Sequence, residues 1–111
     1  YEFSMIFSDW KNKSLNVDIS PSLLWEYDLS NFDWYGMRML VMQRIIERGW
    51  MEDFYAAIRL YGGLEEVRKI IKEIPSLSEK DINFVCSVFD IKKEELKCYR
   101  RRQLREERLN S

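Results

Sequence analysis

Between Trp34 and Arg48 the apolar residues Trp34, Tyr35, Met39, Val41, Met42, Ile45 and Ile46 fall on one wide arc at about 100° per residue. Gln43, Arg44 and Glu47 form the clear polar face. The spacing predicts a helix, and the breadth of its apolar arc marks it as the most buried one. Ser30-Asn31-Phe32-Asp33 reads as its capping box and Gly49 as its left-handed stop. Arg38 falls inside the arc, where a guanidinium must snorkel outward or find a carboxylate. Met37, Met39 and Met42 read as core packing. Upstream, Ser20-Pro21 pairs a serine N-cap with a proline at the first helical position, and the turn that follows carries Leu23, Leu24 and Trp25 toward the core.

The next segments repeat the helical period. Met51, Phe54, Ile58 and Tyr61 share one side of a helix that Gly62-Gly63 stops. Leu64, Val67, Ile70, Ile71 and Ile74 make a clean stripe, opposite the favourably spaced Glu65, Lys69 and Glu73, until Pro75 ends it. Ser78 with Asp81 caps a further helix that turns Ile82, Val85, Cys86 and Phe89 inward, with Phe84 and Val88 at the margins. The turn Phe89-Asp90-Ile91-Lys92 then leads into a helix from about Lys93, with Ile91 plugging the gap between the two helices. This is the grammar of a helix-turn-helix, shared by many helical hairpins. Beyond Tyr99 the apolar stripe fails, so that end of the helix projects into solvent or packs on another molecule.

These elements add up to an all-α protein, a compact bundle of five to six helices with a helix-turn-helix-like C-terminal hairpin. At the start, Tyr1, Phe3, Met5 and Phe7 alternate with polar residues except at Ile6, which leaves room for one short extended segment. Met5 is a candidate start residue, with Tyr1–Ser4 as a foreign leader. The organisation expected is an N-terminal segment and connector over 1–18, a helical domain over 19–99, and a basic extension over 100–111.

Composition removes most enzyme classes. The chain of 111 residues contains no histidine, the side chain that most often handles protons near neutral pH. Two cysteines are too few for a structural zinc site or a disulfide framework. Glu65-Glu66, Glu94-Glu95 and Glu106-Glu107 are adjacent and point to different sides of a helix, a poor geometry for paired acid and base work. Cys98, beside Lys97 and Arg101, is the one candidate for a mildly activated thiol. Neither cofactor nor metal is expected. The absence of a signal-peptide pattern and of a run of about twenty apolar residues points to the cytoplasm.

Charge is unevenly placed. Residues 1–91 hold ten Lys or Arg against fifteen Asp or Glu, a balance of −5, whereas 92–111 hold eight against four, a balance of +4. Such asymmetry hints at a tail with its own partner. Lys92, Lys93, Lys97, Arg100, Arg101, Arg102, Arg105 and Arg108 would supply phosphate contacts if the helix after Ile91 entered a DNA groove. Glu94 and Glu95 in its first turn, and a pI near 5.6, weigh against that.

Several short motifs occur in order: Ser20-Pro21-Ser22-Leu23-Leu24-Trp25, the run QRIIERG at Gln43–Gly49, Glu52-Asp53, Tyr61-Gly62, Leu77-Ser78, Asn83-Phe84, and FDIKKEELKC at Phe89–Cys98. Over residues 19–98 this order resembles an uncharacterised family of small bacterial helical proteins, often encoded beside nucleotidyltransferase-like toxins. Asp90 and Lys92 stand where that family has glycine and proline, and the Arg-rich extension exceeds its usual end. The resemblance implies an antitoxin or accessory role: stoichiometric, non-enzymatic binding in which the acidic body docks on a basic surface of a toxin. The motif-borne residues expected at the surface to carry it are Arg44, Glu47, Glu52, Asp53, Asn83 and Lys97. Each also has a purely structural reading: Arg44 and Glu47 as a solvated face, Asp53 at a helix N-terminus, Asn83 as an amide tying down a loop.

Overall fold

The computed structural model describes residues 18–110; the extended segment expected near the start lies outside them. Among the described residues the chain is all-helical, with five α-helices: α1 Arg38–Arg48, α2 Met51–Tyr61, α3 Leu64–Glu73, α4 Glu79–Val88 and α5 Lys97–Asn110. Single 3-10 turns at Pro21–Leu24, Leu29–Asn31 and Lys93–Glu95 complete it.

Helix α1 starts four residues later than its apolar arc suggested. Asp28, not Ser30, is the local cap, its carboxylate accepting from the Ser30 amide at 3.1 Å. Asp33 accepts from the Gly36 amide at 2.9 Å and holds residues 34–37 as a turn. Tyr35 consequently points outward, 72% exposed, while Trp34 stacks edge-on against Phe32. Arg38 satisfies itself locally: its guanidinium donates to the Tyr35 carbonyl at 2.9 Å and lies 4.3 Å from the Tyr35 ring centroid. Gly49 is extended, at φ −81° and ψ 170°, so the left-handed stop expected there is not made. Glycine is needed for room instead, because a Cβ would sit 2.7 Å from the Ile45 carbonyl oxygen.

Helix α2 is the more enclosed helix, contrary to the pattern reading, and buries every residue from Asp53 to Ile58. It ends as its sequence requires. Gly62 takes φ 97°, and the Gly63 amide reaches back to the Ile58 carbonyl at 2.8 Å. Helix α3 then presents Val67, Ile70 and Ile71 to α1, α2 and α5. Ser78 caps α4 by accepting from the Asp81 amide at 3.2 Å.

The C-terminal hairpin keeps its plug but not its second helix start. Ile91 is buried, and Asp90 adopts φ 54°, the left-handed conformation that glycine would supply. Arg68 of α3 holds this turn by donating to the Asp90 carbonyl at 2.9 Å. Residues 93–95 form only a 3-10 turn, Leu96 is extended and fully buried, and α5 begins at Lys97. The break arises because Glu95 reaches back to the Lys92 amide at 3.1 Å, closing a short turn. α5 then runs unbroken across residues 99–100, docked through Leu96 and Cys98 and exposed at Leu104 and Leu109.

Candidate interaction surface

Four of the sequence-named residues converge where α1 ends, α2 begins and the segment 20–26 crosses them. Asp53 lies at the centre, and it is not at the surface as expected but 1% exposed. One carboxylate oxygen accepts from the Ser20 amide at 2.7 Å and the Ser20 hydroxyl at 2.8 Å; the other accepts from the Trp50 amide at 2.8 Å. Asp53 therefore caps its own helix and staples a segment thirty-three residues upstream. The Ser20 hydroxyl donates to Asp53 and makes no cap bond to the turn that follows it.

Arg44 forms the second tie. Its guanidinium donates to both Glu26 carboxylate oxygens, at 2.9 and 2.7 Å, and to the Leu23 carbonyl at 2.8 Å. The hydrogen bond from Arg44 pulls the Glu26 carboxyl from its ordinary 4.5 down to about 2, and the same pair pushes Arg44 up. Because the folded-state value is depressed, the contribution of this pair is complete above about pH 4.5 and disappears as pH falls through about 2. Glu26→Gln should therefore melt below wild type at pH 7 by a small margin, since Glu26 lies at the surface, and the difference should shrink as pH falls from about 4.5 toward about 2. A difference that stays constant across that range would contradict the ion-pair origin.

Glu47 and Glu52 are exposed at this corner. Two residues that the sequence reading did not select dominate its outer face: Trp25, 76% exposed, and Trp50, 75% exposed. Trp25 was expected in the core, but a four-residue 3-10 turn buries only Leu23 and Leu24 and turns the following residue out. Trp50 occupies the N-cap position between α1 and α2, where its backbone is committed to Asp53 and its ring is free to face solvent. The signal in the sequence was the placement of each tryptophan just outside a helical stripe.

Asn83 and Lys97 lie elsewhere, on α4 and α5. Asn83 is exposed, and its amide makes no hydrogen bond among the described residues, so it ties down no loop. Asn83→Ala should accordingly shift stability by less than about 0.5 kcal/mol in urea unfolding, and a larger loss would restore the structural reading.

A cavity of about 390 Å³ opens between the N-terminal approach to α1, the end of α2, α3 and the start of α5. Its apolar base is Met39, Ile70 and the Tyr61 ring, and its rim carries Arg38, Lys69, Lys97, Glu66 and Glu73 beside Tyr35. Tyr61 donates to the Trp34 carbonyl at 2.8 Å, and burial holds its phenol well above the ordinary value. Along α5, Arg102 donates to the Leu77 carbonyl at 3.1 Å. Arg101 and Arg105 flank the same loop in a smaller groove with Pro75, Ser76 and Leu77. Lys92, Lys93 and Arg100 are exposed, and the break at Leu96 keeps the first two off the α5 helix. Neither thiol is activated: burial raises both Cys86 and Cys98, which corrects the expectation for Cys98.

Fold and surface together define a small all-helical domain with a rigid, tryptophan-bearing corner; among the described residues no helix is long and apolar enough to cross a membrane, and no acidic or thiol cluster is suited to a metal ion. Residues 19–71 match the model of a family of unknown function, DUF6922, a span that contains the whole corner and ends within α3. No curated protein and no solved structure matches the chain.

Proposed function

We propose that this protein is a non-enzymatic interaction module whose partner-binding surface is the corner built on Asp53. The observation that carries the reading is the pair of tryptophans, each three-quarters exposed, Trp50 on an amide that buried Asp53 holds and Trp25 between the Leu23 carbonyl and the Glu26 carboxylate that Arg44 holds. Leaving two indoles in water forgoes about 2 kcal/mol or more of burial apiece, and tryptophan is the residue most enriched among interface hot spots. Because Ser20 and Trp50 are stapled to one side chain, little backbone order remains to be lost on docking. Glu26, Arg44, Glu47 and Glu52 supply a charged rim of the kind that orients a partner. The excess of carboxylates over residues 1–91 favours a basic partner surface. The motif resemblance supports a nucleotidyltransferase-like toxin as that partner, with this chain as its antitoxin or accessory protein in the bacterial cytoplasm.

The test is stoichiometric capture. The tagged chain, expressed in its own host and washed at high salt, should retain a nucleotidyltransferase-like protein in a one-to-one complex by native mass spectrometry. Trp25→Ala with Trp50→Ala should weaken that complex by roughly several hundredfold, at about 2 kcal/mol for each hot-spot residue, without lowering the melting temperature. A complex that survives the double substitution places the interface elsewhere and refutes this assignment.

A further inference from the structure

The cavity beside Tyr35 and the outer face of α5 form one continuous cationic path, and its chemistry differs from that of the tryptophan corner. Arg38 of α1, Lys69 of α3 and Lys97 of α5 converge on the cavity rim. The two carboxylates there are Glu66, paired with Lys69 at 3.4 Å, and Glu73. At about 100° per residue, Lys97, Arg100, Arg101 and Arg105 fall within one arc of α5, with Leu104 the only apolar residue among them. Glu106 lies on the opposite side and Glu107 at the margin. None of these four cations has a carboxylate partner among the described residues. Arg101 and Arg105 follow Lys97 by about one and two turns, and they line the groove against the loop that leaves α3. The path thus begins at an exposed aromatic ring and continues as evenly spaced cations, mostly arginine, whose planar fork suits phosphate oxygens.

We infer that this path binds single-stranded nucleic acid, with a base stacked on the free face of Tyr35 and the phosphate backbone following Arg38, Lys97, Arg101 and Arg105. An aromatic platform beside a cationic track is the general means by which proteins hold unpaired strands, because every base offers a π-face and duplex bases are already stacked. The occupied face of Tyr35 strengthens the platform: the Arg38 guanidinium 4.3 Å from the ring centroid fixes the ring and leaves the other face to solvent. A membrane surface suits the path poorly, since Leu104 alone would enter the lipid.

The measurement is fluorescence anisotropy of the full chain with a labelled single-stranded RNA of roughly twelve nucleotides and with the corresponding duplex. Four phosphate contacts predict a log-log salt slope of about −2.8, or about 50-fold weaker binding at 200 mM than at 50 mM salt. Arg101→Glu with Arg105→Glu should halve that slope and lower affinity at least about tenfold. Tyr35→Ala should weaken single-strand binding about tenfold and leave the slope unchanged. All three substituted residues are exposed, so melting temperatures matching wild type establish that the variants fold. The inference is overturned if RNA does not bind at 50 mM salt, if the duplex binds as tightly as the single strand, or if polyglutamate displaces the strand as well as unlabelled RNA does. Trp25→Ala with Trp50→Ala should leave RNA affinity unchanged, which separates this site from the partner corner.

Discussion

Asp53→Ala is expected to destabilise the protein by about 3 kcal/mol, because it removes charge-assisted acceptors from partners that have no substitute. The carboxylate accepts from the Ser20 amide, the Ser20 hydroxyl and the Trp50 amide while 1% exposed. Truncation leaves the Ser20 and Trp50 amides unpaired, each costing about 1 kcal/mol or more, and it also removes the reach-back half of the α2 cap. For a domain of this size the loss corresponds to a fall in melting temperature of about 15 °C, measurable by circular dichroism at 222 nm, the usual helical band, at roughly neutral pH. Asp53→Asn provides the internal control. Its amide retains one acceptor oxygen but turns a donor toward either the Trp50 amide or Ser20, so about half the loss should remain. An alanine variant melting within about 3 °C of wild type would falsify the staple. The same substitution bears on function, since it frees the Trp50 amide and the Ser20 end of the segment that carries Trp25. Partner affinity should fall further than the loss of folded protein explains.

The sequence disclosed the helices whose apolar residues face one way and obscured those whose local hydrogen bonding competes with the helix. α3 is the clear case: Val67, Ile70 and Ile71 repeat at helical spacing, Pro75 follows, and the observed helix ends at Glu73. The region from Asp28 to Met37 shows the opposite. Its apolar residues extend the α1 arc, yet the short carboxylates of Asp28 and Asp33 each capture an amide two or three residues on and hold the chain in turns. The same competition delays α5, where Glu95 closes a turn on the Lys92 amide before the helix begins. Asp90 holds the tight turn of the hairpin without glycine: aspartate tolerates the left-handed region, and Arg68 accounts for its carbonyl. As for the candidate site, the motif segments named four residues that the fold brings to one corner, but Asp53 is buried there and not exposed as expected. Arg44 and Asp53 are highly organised because they hold the backbone, and the exposed tryptophans they position follow from tertiary hydrogen bonds that no local periodicity reports.

Ile71→Ala should cost about 4 kcal/mol, the upper part of the range for truncating a buried isoleucine. Ile71 is fully buried on α3, and α3 is the helix that touches α1, α2 and α5 together. A void left there is bounded by three helices whose positions are fixed independently. Gly62 and Gly63 pin the entry to α3, Arg68 pins it to the Asp90 turn, and the Arg102 bond to the Leu77 carbonyl secures α5 beyond it. Little collapse is therefore available to relieve the cavity. Leu64→Ala at the half-buried start of the same helix should cost only about 1–2 kcal/mol, because that end can settle and water already reaches it. Urea unfolding distinguishes the two: both midpoints should fall at an unchanged m-value, with Ile71→Ala falling at least about twice as far. The outer face of α3 carries Glu66 and Lys69 to the cavity rim without touching Ile71's side of the helix, so Ile71→Ala should lose stability while its folded fraction still binds single-stranded RNA with wild-type affinity. Equal midpoint shifts for the two variants would mean that the bundle closes around the void and that the three helices around Ile71 are not fixed independently.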